Sequence, residues 1–392
     1  MYNIIPLHEK LNVEPWHRSL SRRIFELAQD IKNGYSIALQ IYREADTSTF
    51  RYLCYNPYQY TRAGIVWKCH YFYSYEYETI LAYIEKVQLV ILCRIGWTIH
   101  IQEIINRAHD LHKPVIYQVD DMVYSLDELY TVTSTIHTFE DNEAFYDFWF
   151  ADIGRKQCAA QQADGFITTN DFLGLKISTV FRKPYAVIHN ALNLEQIAVS
   201  EKYFDIKKRE VFQKPFTIGY FSGSPSHIND FRSIATEIYA LLKQYDDMNL
   251  LVVGFMEFPG FMKDLIEEGR IQFKPLVDFL ELQRLTAEVD VNIVPLIDNE
   301  FTNCKSELKF FEAGIVGTIT CAAPTYTYTR AIRNGVNGFL CQAGDWYKTI
   351  ENIYLGNIDP KIVRNARNDA LKNYSGSHIL SEIENALNQL AH

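Results

Sequence analysis

Residues 305–317, K-S-E-L-K-F-F-E-A-G-I-V-G, sort charge and apolar bulk onto opposite sides of one short expected helix. At helical spacing Lys305, Lys309 and Glu312 share a face, while Leu308, Phe311 and Ile315 share another. The apolar stripe reads as core. Lys305, placed in the first turn, opposes the helix dipole, and an anionic ligand at that end resolves the conflict. The plainer reading has both lysines snorkelling into water.

A second anion-friendly segment is 222–231, S-G-S-P-S-H-I-N-D-F. After Ser222, the backbone amides of Gly223 and Ser224 can approach phosphate oxygens closely, and His227 can add a donor. The plainer reading makes Ser226 an N-cap and Pro225 a turn former. The segment is neither G-x-G-x-x-G nor G-x-x-x-x-G-K-[ST], so a nicotinamide dehydrogenase and a P-loop nucleotidase both lose their main support. Lys274, Pro275, Leu276 and Val277 leave another expected strand and offer a wall for a flat base, or simply a strand exit. Nearer the N-terminus, Asp120 and Asp121 can orient a hydroxyl or act as base, and Arg94 can hold an anion. Turn capping by the aspartates is an equal alternative. Thr49, Phe50 and Arg51 are placed to close over a ligand.

These residues need a scaffold that brings distant loops together. β-rich runs at 37–41, 66–71, 89–93, 115–119, 165–168 and 186–188 alternate with helical patterns such as 77–87, 98–112 and 172–181, after a helical lead-in at 13–32. A second series follows the charged stretch 207–210, which suits a linker. Its strands are expected at 216–221, 250–253, 271–274, 289–294, 318–321 and 338–341, and its helices at 228–245, 278–288, 305–316, 326–334 and 345–355. Such alternation calls for parallel sheets flanked by helices. The expected architecture is α/β, with two Rossmann-like domains facing a central cleft: 1–205, 206–372, and a C-terminal helix at 373–392 returning to the first domain. Each sheet binds ligands beyond the carboxyl ends of its strands, so the loops above converge on that cleft.

Composition sets the limits. The 392 residues carry a net charge of −10, with 48% hydrophobic and 22% charged residues, which is globular and argues against a nucleic-acid ligand. The longest apolar run is far short of a bilayer span, and residues 1–34 lack a signal-peptide core, so a cytoplasmic location is expected. Seven scattered cysteines without a C-x-x-C pair read as reduced thiols, with neither disulfides nor zinc.

The order of small-residue loop, V-P-L at 294–296, K-S-x-L-K-x-x-E-A at 305–313 and A-I-R-N-G-V-N-G-F-L at 331–340 resembles the nucleotide-sugar domain of GT-B glycosyltransferases of the retaining, family-4-like (group 1) kind. The segments Y-A-V-I-H-N-A-L-N-L at 185–194 and A-D-G-F-I-T-T-N at 163–170 are similar to the strand ends that lead those enzymes out of their first domain. The resemblance covers roughly 164–355. It implies transfer of a sugar from a nucleotide-diphosphate donor to a carbohydrate, lipid-linked or protein acceptor held by the first domain, as in bacterial surface-glycan or glycoprotein synthesis. It implies no cofactor and no metal. It places Glu312 on the ribose and Lys305 and the 222–224 loop on the diphosphate, with Ser306 and Lys309 also among the donor-binding residues. Cys304 stands where the family often has a first glutamate, and Glu307 is out of register with it. A catalytically inactive GT-B-like partner subunit is the alternative, and an epimerase a third. The tyrosines at 52–60 and 71–77 offer stacking faces for sugars or a partner surface, against plain compositional bias. Arg22, Arg23 and Trp16 are candidates for peripheral membrane contact at the inner face of the membrane, and homo-oligomerisation is left open.

Overall fold

The computed structural model describes residues 2–4, 14–46, 48–135, 143–209, 215–223 and 228–391. A short opening strand, β1 (Tyr2–Ile4), stands apart from the first sheet. That sheet takes β2 (Ser36–Tyr42), β3 (Trp67–Tyr73), β4 (Leu89–Cys93), β5 (Val115–Val119), β6 (Gly165–Thr168) and β7 (Tyr185–Val187), all parallel, in the order β3-β2-β4-β5-β6-β7. β3, β4, β5 and β6 are buried at every position, because helices cover both faces of the sheet.

The second sheet takes β8 (Phe216–Ser222) and β9 (Met248–Gly254), then, after β10 (Met256–Phe258), the strands β11 (Ile271–Lys274), β12 (Val291–Val294), β13 (Ile319–Ala322) and β14 (Phe339–Leu340). It is again all parallel, ordered β11-β9-β8-β12-β13-β14. β10 instead pairs antiparallel with β1, Tyr2 opposite Phe258. In each sheet the strand order reverses beside the first long strand, between β2 and β4 and between β8 and β12. Those switch points open a crevice at the carboxyl ends of the strands.

The C-terminal helix Gly376–Leu390 returns to the first domain. Ile379, Ile383, Ala386, Leu387 and Leu390 pack with Trp67, Leu89 and Ile116, and Trp67 Nε1 donates to Asn388 Oδ1 at 2.7 Å. Glu382 on this helix accepts from the His189 backbone N–H at 3.2 Å and lies 3.1 Å from its Nδ1. Burial works against the imidazolium, but Glu382 outweighs it and holds His189 above its ordinary value, while His189 in turn outweighs burial and holds Glu382 below its own. The stabilisation from His189 is full below its unfolded value of 6.5 and is lost as pH rises through the folded value. Glu382→Gln is therefore expected to lower unfolding free energy by about 1–2 kcal/mol in mildly acid buffer and by less in alkali. Urea melts across pH check this; a pH-independent loss would rule out the pair as the cause.

Several local expectations change. Residues 207–209 do not form a linker: they end the helix Leu194–Arg209, and Lys207 Nζ donates to Val289 O at 2.6 Å and Thr318 Oγ1 at 2.7 Å. The helix expected over 228–245 breaks into Ile228–Arg232 and Ala235–Gln244. The lead-in helix runs only over Leu20–Lys32, capped by Ser19.

Most of the tyrosines form neither a stacking face nor an adhesive surface. Tyr52, Tyr55, Tyr58, Tyr60, Tyr71 and Tyr73 are buried, and the first five donate their hydroxyls internally, as where Tyr71 donates to Trp16 O at 2.9 Å; Tyr75 alone of the two segments is exposed. Trp16 is itself 1% exposed, and Arg23 is buried against Glu76 at 2.6 Å, so neither is available to a membrane. Among the described residues no helix is long and apolar enough to cross a membrane.

Candidate functional site

Between the two sheets lies a cleft of about 760 Å³ lined from both domains. Asp120 and Asp121 reach it from the end of β5, Ser222 and Gly223 from the end of β8, and Lys305, Ser306, Lys309 and Glu312 from the segment after β12. Ser224 and His227 lie outside the described residues. The exit of β8 is shaped by Gly254 at the end of β9, whose φ is +102°; a Cβ there would meet Ser222 O at 1.9 Å, so only glycine permits this approach. Among the described residues nothing stands within 4 Å of a Cβ placed on Gly223.

Two sequence assignments move. Lys274 ends β11 half-buried and is not among the cleft-lining residues; Leu276 and Val277, just beyond it, are. Arg94 does not line this cleft either. It faces a neighbouring cavity and is joined to the cleft through Asp120, which its Nη1 meets at 2.7 Å.

The helix that carries the basic residues begins later than expected, at Leu308, and runs to Ile315. A separate turn of helix, Glu300–Asn303, precedes it, closed by a capping box between Asn299 and Thr302. Lys305 thus sits between two helices. Its Nζ lies 3.3 Å from Asp121 Oδ2 and 4.2 Å from the Phe301 ring centroid. The cation in conflict with a helix start is Lys309, second residue of Leu308–Ile315, in a first turn that holds no acid. Burial pushes the Lys309 ammonium down to about 8. Burial raises the Asp121 carboxyl, but Lys305 and then Arg94 outweigh it and hold it below the usual carboxylate range. Cys304 does not line the cleft. It is buried in the first domain's core, and its carbonyl accepts from Asn170 Nδ2 at 2.9 Å.

Glu312 is the hub. It is 6% exposed, lines the cleft, and its Oε1 accepts from three residues of distant sequence: Tyr52 Oη, Gln196 Nε2 at 3.1 Å and Arg51 Nη2 at 3.4 Å. Arg51 also donates to Gln196 Oε1 at 2.6 Å, and its guanidinium lies 4.0 Å from the Tyr52 ring centroid and 4.9 Å from that of Phe279. Arg51 and Tyr52 come from a π-helical turn, Arg51–Tyr55, that leads directly into the helix Asn56–Thr61. Burial raises the Tyr52 phenol and, with Glu312, outweighs Arg51, so Tyr52 remains a donor. Of these partners Arg51 drew notice in the sequence as a residue closing over a ligand, and Tyr52 only as one of the 52–60 tyrosines. Tyr52 and Gln196 carry no local signal, because their roles depend on a residue more than a hundred positions away.

Among the described residues no group of three or more His, Cys, Asp or Glu side chains is arranged to hold a metal ion. The cationic groups and backbone amides are what the cleft offers an anion.

Two parallel Rossmann-like sheets facing a shared cleft, with the last helix crossing back, give this chain the GT-B architecture. No protein-family model matches the chain, and no curated protein matches it in sequence. Solved structures do match in fold. Anabaena HepE in complex with UDP and glucose superposes with a TM-score of 0.59 at 14% identity, over 91% of this chain and 100% of that one. A glycosyltransferase from Rickettsia africae gives 0.59 at 14% identity, over 91% and 98%. Sucrose-phosphate synthase from Thermosynechococcus elongatus gives 0.56 at 14% identity, over 91% and 99%.

Proposed function

We propose that the protein is a glycosyltransferase that moves a sugar from a nucleotide-diphosphate donor, with retention of anomeric configuration, to a carbohydrate acceptor held by the first domain. The observation that carries this reading is the convergence of Lys305, Lys309 and Glu312 with Ser222 and Gly223 in one interdomain cleft. Lys309 stands in a helix first turn that holds no acid, with Asp230 and Glu312 as its nearby carboxylates, and a diphosphate at that helix start adds the anion the turn lacks. In this reading the Glu312 carboxylate accepts from ribose hydroxyls, Lys305 turns from Asp121 to the phosphates, and Leu276, Val277 and Leu282 flank the base. As the sugar leaves, negative charge grows on the diphosphate, and the lysines and helix amides stabilise it without reorganising. Asp120 and Asp121, across the cleft, are placed to orient the acceptor hydroxyl. The UDP complexes of HepE support beginning with uridine donors.

Incubation with a panel of UDP-, GDP- and dTDP-sugars is expected to release nucleoside diphosphate slowly without acceptor, and the release should vanish in Lys305→Ala. Proton NMR of the freed sugar reads its anomeric configuration. Donors that stay intact and unbound across the panel would refute the transferase reading and leave the inactive-partner alternative.

A further inference from the structure

A second cavity, of about 400 Å³, opens beside the donor cleft within the first domain. The two share Asp46 and Ser48 as walls. Arg94 and Thr49 face the second cavity, and both bind Asp120 of the first, at 2.7 and 3.1 Å. A hydroxyl presented at this junction reaches the donor cleft without leaving Asp120.

The cavity is unusual for a chain of net charge −10: it is lined by Arg43, Arg94, Arg155 and Lys156 against Asp46 and Asp152. Arg94 is neutralised by Asp120, and the buried Lys156 by Asp152. Arg43 and Arg155 are exposed on the wall with no ion pair among the described residues. The surplus is felt inside the protein: burial, then Arg94, and also Arg43, hold Lys156 below the ordinary lysine value although Asp152 is bonded to it. The helix Ile99–Asp110 starts at this wall, capped by Thr98 and with no acid in its first turn, which adds positive potential. Apolar rings stand beside the charge: Trp97, Trp149 and Phe148, the last 63% exposed.

We infer that this cavity is the acceptor subsite and that the acceptor carries an anionic group, a carboxylate or phosphate, seated at Arg43 and Arg155 with an apolar ring or chain against Trp149 and Phe148. The assignment rests on reading the main cleft as the donor site. Two exposed arginines on one cavity wall, with no ion pair among the described residues, can hold a carboxylate or phosphate in charge-assisted hydrogen bonds, and a flat aromatic wall adds contact area.

Calorimetric titration tests it with four probes: para-nitrophenyl glucuronide, farnesyl phosphate, inorganic phosphate and the neutral para-nitrophenyl glucoside. An anionic ring or lipid probe is expected to bind about tenfold tighter than the glucoside, with the difference shrinking in salt. Preference for the glucuronide points to a uronic acid, and preference for farnesyl phosphate to a lipid-phosphate carrier. The double variant Arg43→Ala/Arg155→Ala is expected to erase the preference, and Arg155→Glu to invert it; circular dichroism confirms that these exposed changes leave the fold intact. The inference is overturned if the glucoside binds as tightly, if the preference survives in the double variant, or if only inorganic phosphate binds. UDP titrated into the unmodified protein probes the donor cleft separately, so the two readings fail on different measurements.

Discussion

Glu312→Ala is expected to lower kcat/KM for donor turnover by about a hundredfold, the equivalent of about 3 kcal/mol lost with two charge-assisted hydrogen bonds to the ribose. The same change has a second effect. It leaves Arg51, which is 3% exposed, without its carboxylate, and removing one member of a buried pair costs about 3 kcal/mol of stability. Glu312→Gln separates the two, because an amide oxygen can still accept from Tyr52 and Gln196 while one acceptor toward the cleft becomes a donor. Its stability should lie nearer the parent than that of the alanine variant, with turnover still well down. Steady-state kinetics and urea melts on both variants decide the matter. If Glu312→Ala melts early but turns over donor normally, the residue is structural and its proposed role is wrong.

Lys309→Met is expected to weaken nucleoside-diphosphate binding by about thirtyfold while making the folded protein more stable at neutral pH by about 2 kcal/mol. The signs follow from one displaced titration. Lys309 sits near 8 in the folded chain against 10.5 for a free lysine, so burying its ammonium costs stability below about pH 8, and the cost fades as pH rises toward 10.5. A bound diphosphate raises the value again. Affinity in the parent protein is therefore full below about pH 8 and falls as pH rises through it, with uptake of about half a proton or more at pH 8.5. Calorimetry in buffers of different ionisation enthalpy measures that uptake. A pH-independent affinity, or a methionine variant that binds as tightly as the parent, would remove Lys309 from the donor site.

The layered architecture was legible because parallel strands covered on both faces read as unbroken apolar runs, such as 89–93 and 250–253. The basic helix was legible too, but its start was misplaced by three residues. The N-x-x-T capping signature at Asn299 and Thr302 was present in the chain, and it marks a separate short helix that the preceding loop was not expected to contain. That shift transfers the electrostatic conflict from Lys305 to Lys309. The tyrosine-rich segments misled for another reason. A π-helical turn follows neither the 3.6-residue nor the two-residue period, so burial of Tyr52 and Tyr55 could not be read from spacing. The hub at Glu312 was half visible: the carboxylate itself could be named, whereas Tyr52 and Gln196 meet it across 260 and 116 positions. Arg94 was expected to face the cleft because its strand ends there; instead it lines the adjoining cavity and meets the cleft through Asp120.

The returning helix Gly376–Leu390 has a consequence for how the chain comes off the ribosome. The face of the first sheet that holds Trp67, Leu89 and Ile116 is closed by residues that are synthesised only after the second domain. Until they emerge, that apolar face waits uncovered through the making of the whole second domain. During synthesis the nascent first half is thus a natural client for a chaperone, and a stop codon placed before residue 376 should send the product into inclusion bodies rather than yield a shortened folded protein.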